Sequence, residues 1–229
     1  MAGSASAADV FSLGTTAQPT PIFDANASPS PQWDIPSVMT SGGTMTDFNF
    51  FPDYYIDPQG ISSGHMVWSG NALDQDLSAG GDAEATFLGG GTFQLYGTVY
   101  TSPDFGTTFT PFSASNILLV EGTVGAFHVK EPNGGDNLID KVGDVYLNPT
   151  AGALVDGTIA TMPGLYSMNF TIQGARQDGG GPLQDFQTSV YAINTMELSL
   201  TYTGIPEPST LALLAGAGLL GLRRRGARR

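Results

Sequence analysis

The chain offers few residues whose type and spacing could carry out chemistry. Gly60-Ile61-Ser62-Ser63-Gly64 has the G-x-S-x-G spacing, with His65 adjacent. That spacing activates a serine when a strand precedes it and a helix follows, so that the turn is strained and the hydroxyl exposed. Here Asp57-Pro58-Gln59 precede it and the strand-like His65-Met66-Val67-Trp68 follows, which reads as a polar turn. The two histidines, His65 and His128, are too few and too far apart for a zinc site. His128 closes Val124-x-Ala126-x-His128, the pattern of one strand face, and reads as a structural imidazole. Carboxylates are the richer signal. Asp74, Asp76, Asp82 and Glu84 flank Gly80-Gly81, and Asp136, Asp140 and Asp144 follow Glu131 in a Gly/Asn-rich stretch. Calcium takes about six to eight oxygens from loops of this kind, so both groups are candidate calcium ligands. Neither has EF-hand spacing, and solvated turn residues are the competing reading. Paired carboxylates also hydrolyse sugars, and Trp33, Trp68, Tyr54, Tyr55, Tyr96 and Tyr100 could stack on them. With 20 acids before Pro206, pairs arise by chance, and no pair stands out.

Composition narrows the classes. The chain has 229 residues, 41% hydrophobic and only 13% charged, with 31 glycines and 15 prolines. That suffices for a real core under a surface made polar by Ser, Thr, Asn and Gln. Five of the eight cations lie in the last seven positions. Between Asp9 and Ile205, three cations (Lys130, Lys141, Arg176) face 20 carboxylates, net −17. Such a surface cannot neutralise a phosphate backbone, which excludes nucleic acid as a partner. With no cysteine, disulfides, thiolate catalysis and cysteine-held metals are excluded.

Residues 205–229 read IPEPSTLALLAGAGLLGLRRRGARR. The two prolines end any incoming strand, and Ser209 or Thr210 can cap a helix. A charge-free run from Leu211 to Leu222 follows, with Leu211, Leu213, Leu214, Leu219, Leu220 and Leu222 as its bulk. Twelve residues make about 18 Å of helix, short of a ~30 Å hydrocarbon core. The arginines Arg223, Arg224, Arg225, Arg228 and Arg229 decide between a core helix and a membrane one. Cations stay cytoplasmic, so the reading is a stop-transfer helix with Arg223, Arg224 and Arg225 as its cytoplasmic anchor and the preceding domain outside.

Pro206-Glu207-Pro208, an apolar Gly-containing helix and an arginine block, in that order, resemble the PEP-CTERM sorting signal of Gram-negative bacteria that make exopolysaccharide. The resemblance covers about a tenth of the chain. It implies recognition by an exosortase near Pro206–Pro208, transient anchoring in the inner membrane, and delivery to the cell surface or an exopolysaccharide matrix. At the other end, MAGSASAA with Ala5-x-Ala7 resembles the cleavage region of a signal peptide, and residues 1–8 are expected to be its remnant.

The elements between are read from periodicity. Phe93, Leu95 and Val99 alternate with polar residues, as do Tyr166, Met168, Phe170 and Ile172, and Met196, Leu198, Leu200 and Tyr202. These are half-buried strands, with weaker candidates at 45–51, 64–69, 83–88, 116–121, 123–130, 144–147 and 186–193. No segment before Ser209 has helical periodicity. The expected fold is all-β: an antiparallel β-sandwich or jelly roll over 43–204, preceded by a loosely ordered Pro/Ser/Thr-rich lead-in at 9–42 and followed by a single C-terminal hydrophobic helix. The expected function is that of a non-enzymatic surface or matrix protein without a cofactor other than calcium. The alternative is a secreted carbohydrate-binding or glycosidase-like protein.

Overall fold

The computed structural model describes residues 8–15, 20–28, 30–45, 53–57, 64–104, 107–131, 138–159, 164–177, 181, 184–186 and 190–203. They form fifteen strands and no helix. Four strands are long: β3 (Gln32–Met45), β5 (His65–Asp76), β14 (Leu165–Gln177) and β15 (Val190–Thr203). β1 (Ala8–Thr15) and β2 (Thr20–Asp24) precede them, and β4 (Asp53–Ile56) lies between β3 and β5. The middle of the chain supplies β6 (Glu84–Phe87), β7 (Gly91–Gly97), β8 (Val99–Ser102), β9 (Thr110–Pro111), β10 (Ile117–Val124), β11 (Phe127–Lys130), β12 (Leu138–Val142) and β13 (Val145–Ala151).

Every ladder is antiparallel, and the ladders close on themselves. Each long strand changes partner along at least one of its edges. β14 pairs with β13 at Val145↔Met168 and with β12 at Ile139↔Ile172, while its other edge follows β15. β5 likewise meets β7 at Trp68↔Phe93 and β6 at Leu73↔Phe87. One closed circuit runs β5-β7-β10-β13-β14-β15-β1-β3, and a second runs β5-β6-β11-β12-β14-β15-β2-β3. A ribbon of β4, β8 and β9 extends from the end of β3.

The core fills the inside of these circuits. On β14, Tyr166, Met168, Phe170 and Ile172 are fully buried while Leu165 and Asn169 are exposed, the alternation a one-sided strand requires. Phe93 and Leu95 on β7 and Leu198 and Leu200 on β15 do the same. At the centre Trp33 packs against Trp68 (5.6 Å between centroids), Phe87 (5.4 Å), Phe127 (5.4 Å) and Phe170 (5.9 Å). Phe23 and Phe186 extend the cluster through Phe87.

The all-β antiparallel expectation holds for the described residues. The lead-in does not. β1, β2 and the first part of β3 run through residues 9–42, and Phe23, Trp33 and Ile35 are buried core. The described prolines of this segment sit where a strand tolerates them: Pro21 lies in β2 opposite Tyr191 next to a register shift, Pro31 directly before β3, and Pro36 at the register irregularity between Ile35 and Val38. The domain boundary expected at 43 falls inside β3. The helix expected at 209–223 and nearly all of the expected signal remnant lie outside the described residues.

Candidate functional site

Three of the groups that sequence reading singled out, Glu84, His128 and Asp140, come together on the outer face of neighbouring strands. Glu84, Lys130, Asp140, Thr171 and Glu197 stand directly opposite one another on five adjacent strands: β6, β11, β12, β14 and β15. Side chains paired in this way sit about 5 Å apart and interact. Lys130 Nζ lies 3.0 Å from Glu84 Oε2, and His128 Nε2 lies 2.8 Å from Glu84 Oε1. The hydrogen bond from Lys130, with help from His128, holds the Glu84 carboxyl below its usual range, and Glu84 raises Lys130 in return. His128 is therefore a cross-strand partner of Glu84.

Next along the row, Thr171 Oγ1 donates to Asp140 Oδ1 at 2.6 Å. An open groove of about 190 Å³ follows between β14 and β15, lined by Asn169, Phe170, Thr171, Glu197, Leu198 and Ser199. Its polar side chains can exchange hydrogen bonds with a hydroxyl-rich ligand.

The candidate calcium ligands are spread among separate partners. Asp74 Oδ2 accepts from Thr86 Oγ1 (3.2 Å), and Asp76 Oδ1 accepts from the Ser78 N–H (3.0 Å). Asp82 is bridged to Ala79 through the backbone in the turn between β5 and β6. Asp144 Oδ2 accepts from the Tyr146 hydroxyl (3.3 Å), and the nearby charge of Asp144 raises that phenol. Asp136 lies outside the described residues. Among the described residues, no three acidic or histidine side chains converge on a point where a cation could sit.

The serine motif is likewise not assembled. Residues 60–63 lie outside the described residues, and Gly64 leads into strand β5 where the nucleophile geometry requires a helix. His65 at the start of β5 stacks on Tyr96 with centroids 4.5 Å apart. Trp33 and Trp68 are buried core and cannot stack on a sugar.

One carboxylate is built into a turn that the sequence did not mark. Asp104, after β8, accepts from Ser102 Oγ (2.8 Å), Thr107 N–H (3.2 Å), Thr108 N–H (2.7 Å) and Thr108 Oγ1 (2.6 Å). The Thr108 hydroxyl first, then the Thr108 N–H and the Ser102 hydroxyl, lower its pKa from 3.8 to about 2. An acid whose pKa falls on folding stabilises the fold above its unfolded value and loses that contribution as pH drops through its folded one. The melting-temperature gap between the wild-type protein and Asp104→Asn should therefore be full at pH 5 and shrink from pH 4 to pH 2. A gap constant over that range would contradict the turn geometry.

The last strand leads straight into the tail. β15 ends at Thr203, paired with Leu165 on one side, while Tyr202 faces Ala8 of β1 on the other. Pro206, Glu207, Pro208, the leucines from Leu211 to Leu222 and the arginines lie outside the described residues. Among the described residues, no helix is long and apolar enough to cross a membrane. No curated protein and no solved structure matches the chain. Residues 204–229 do match a family model, that of the PEP-CTERM protein-sorting motif, with Pro206-Glu207-Pro208, the apolar run and the arginine block all inside the match. The chain thus carries a PEP-CTERM protein-sorting motif that begins at the residue after its last strand.

Proposed function

We propose that this is an exported, non-enzymatic surface or matrix protein of a Gram-negative bacterium, with a jelly-roll-like ectodomain. Its tail is read by an exosortase, spans the inner membrane transiently and is then removed, leaving the ectodomain at the cell surface or in exopolysaccharide. The observation that carries the reading is the match at 204–229, which starts one residue past the end of β15. A PEP-CTERM signal marks an exported protein and names an exosortase as partner. The lack of catalysis is supported by the buried tryptophans, by the strand that follows Gly64, and by the protein hydrogen-bond donors that Asp74, Asp76, Asp140 and Asp144 each already have.

Mass spectrometry of surface-located protein from the native host should find no peptide from Leu211 onward; an intact Arg229 on the bulk of it would overturn the reading. The groove between β14 and β15 favours the second reading, a carbohydrate-binding protein. Incubation with polysaccharides of the host should release no reducing ends. Turnover abolished by Glu197→Gln or Asp140→Asn would instead identify a glycosidase.

A further inference from the structure

The ladders fix which end of the domain the tail leaves from. Ala8 of β1 faces Tyr202, and Leu165 at the start of β14 faces Thr203. β13, paired to β14 through Leu147↔Tyr166, runs on past that level to Ala151, and Glu121 of β10 sits opposite Ala151. One pole of the closed sheet thus gathers the start of β1, the end of β15, the start of β14, the end of β13 and the start of β10. At the other pole β14 ends with Gln177 opposite Val190. At about 3.3 Å per residue, the strand length separating the poles is about 40 Å.

The apolar run begins at Leu211, eight residues beyond Thr203. Eight residues span at most about 28 Å. A tail inserted in lipid therefore cannot run back along the domain to bring the Gln177 pole to the membrane. On β14 and β15 the rungs nearest the tail, 165–170 and 198–203, carry no charged residue, while β1 adds Asp9 opposite Thr201. Leu165 is 43% exposed there, and Phe112, whose N–H donates to Val99 O beside the start of β10, is 50% exposed. The far end holds Asp24 beside Gln32, and Ala72–Asp76 opposite and beyond that rung, including Asp74 and Asp76. Anionic lipid headgroups repel that end.

We infer that, while the tail is inserted, the pole carrying Ala8, Leu165 and Thr203 rests against the bilayer surface, with the Gln177 pole turned outward. The inference rests on the reading of residues 205–229 as a membrane anchor, and it adds an orientation and a lipid-facing patch to that reading. Leu165 and Phe112 enter the headgroup layer.

The chain has no cysteine, so single labels are clean. Leu165→Cys, Phe112→Cys and Gly181→Cys place a nitroxide at the near pole twice and in the far-pole connection once; an added Cβ at Gly181 meets nothing within 4 Å. The full chain is reconstituted into phosphatidylethanolamine/phosphatidylglycerol vesicles doped with a nickel-chelating lipid. Flotation reports anchoring, and relaxation of the nitroxide by headgroup nickel reports the pole. The expected result is flotation of all three variants, with nickel relaxation at 165 and 112 several-fold above that at 181. Flotation with equal or reversed relaxation overturns the orientation and leaves the anchor standing. Failure to float overturns the anchor reading itself, and the orientation with it.

Discussion

Trp33→Ala should lower the unfolding free energy by about 3–5 kcal/mol, which is the size of many small domains' entire stability. Trp33 is fully buried, and its ring meets Trp68, Phe87, Phe127 and Phe170. Truncation leaves a void between β3 and β14 that a ring-packed centre cannot collapse to fill. Trp33→Phe should cost less. It keeps an aromatic in the cluster and removes an indole N–H that is buried without a hydrogen-bond partner among the described residues. Denaturant titration followed by tryptophan emission measures both. A Trp33→Ala midpoint within error of the wild type would mean that residues 9–42 are outside the fold.

That test bears on the main difference between sequence and structure. Alternation at 92–96, 165–173 and 197–201 was legible because each of those segments keeps one face to the core and one to water, whereas Thr98 and Val99 are both buried. Segment 9–42 hid its strands because small and hydroxyl residues with prolines mask a period of two. The single alternating pair Trp33 and Ile35, ten residues after Phe23, is too short a run to restore it.

β5 hides a different device. Met66 and Trp68 face inward, but Gly70, at a φ of +86°, forms a bulge between the rungs Asp34↔Ser69 and Trp33↔Asn71. The inward positions then switch from even to odd, so Asn71 faces the core. A period-two scan cannot anticipate a change of parity. The row from Glu84 to Glu197 was illegible for a related reason, since it depends on the registers of five strands far apart in sequence. The tail was legible because its motif is contiguous and depends on no register.

Asn71→Ala should be the second large loss, about 3 kcal/mol. Its Oδ1 accepts from Trp68 Nε1 at 2.7 Å, and its Nδ2 donates to Leu88 O at 2.8 Å and reaches Gly125 O at 3.4 Å. One side chain thereby ties β5 to the segments after β6 and after β10. Removing it strands the buried Trp68 indole N–H, at about 1–3 kcal/mol, and leaves the part-buried Leu88 carbonyl without this donor. Gly91 provides the independent check, because a Cβ there would overlap Asn71 Oδ1. Gly91→Ala should be destabilising in the wild type and less so beside Asn71→Ala, which removes the two nearest atoms and leaves the Asn71 backbone nitrogen at 2.9 Å. A coupling of about 1–3 kcal/mol in this double-mutant cycle is the expected signature of direct contact. Strict additivity would mean that the amide does not occupy the space against Gly91.

The seam formed by β1 has a consequence for the order in which the domain can be completed. β1 lies between β3 and β15, and Ala8 waits for Tyr202 across almost the whole chain. Sheets dominated by such distant pairings fold slowly, over milliseconds to seconds, because the loop must close before any contact rewards it. A chain crossing the membrane in sequence order presents β1 first and β15 last, with the sorting motif starting one residue later. Until β15 emerges, both edges of the open seam expose unpaired N–H and C=O groups, the standard template for pairing between molecules. If the tail stops in the bilayer, as proposed above, it holds each unfinished sheet at the membrane while the last strand docks. The address label would then also serve as a folding tether, and severing it before the seam closes would release molecules able to pair edge to edge.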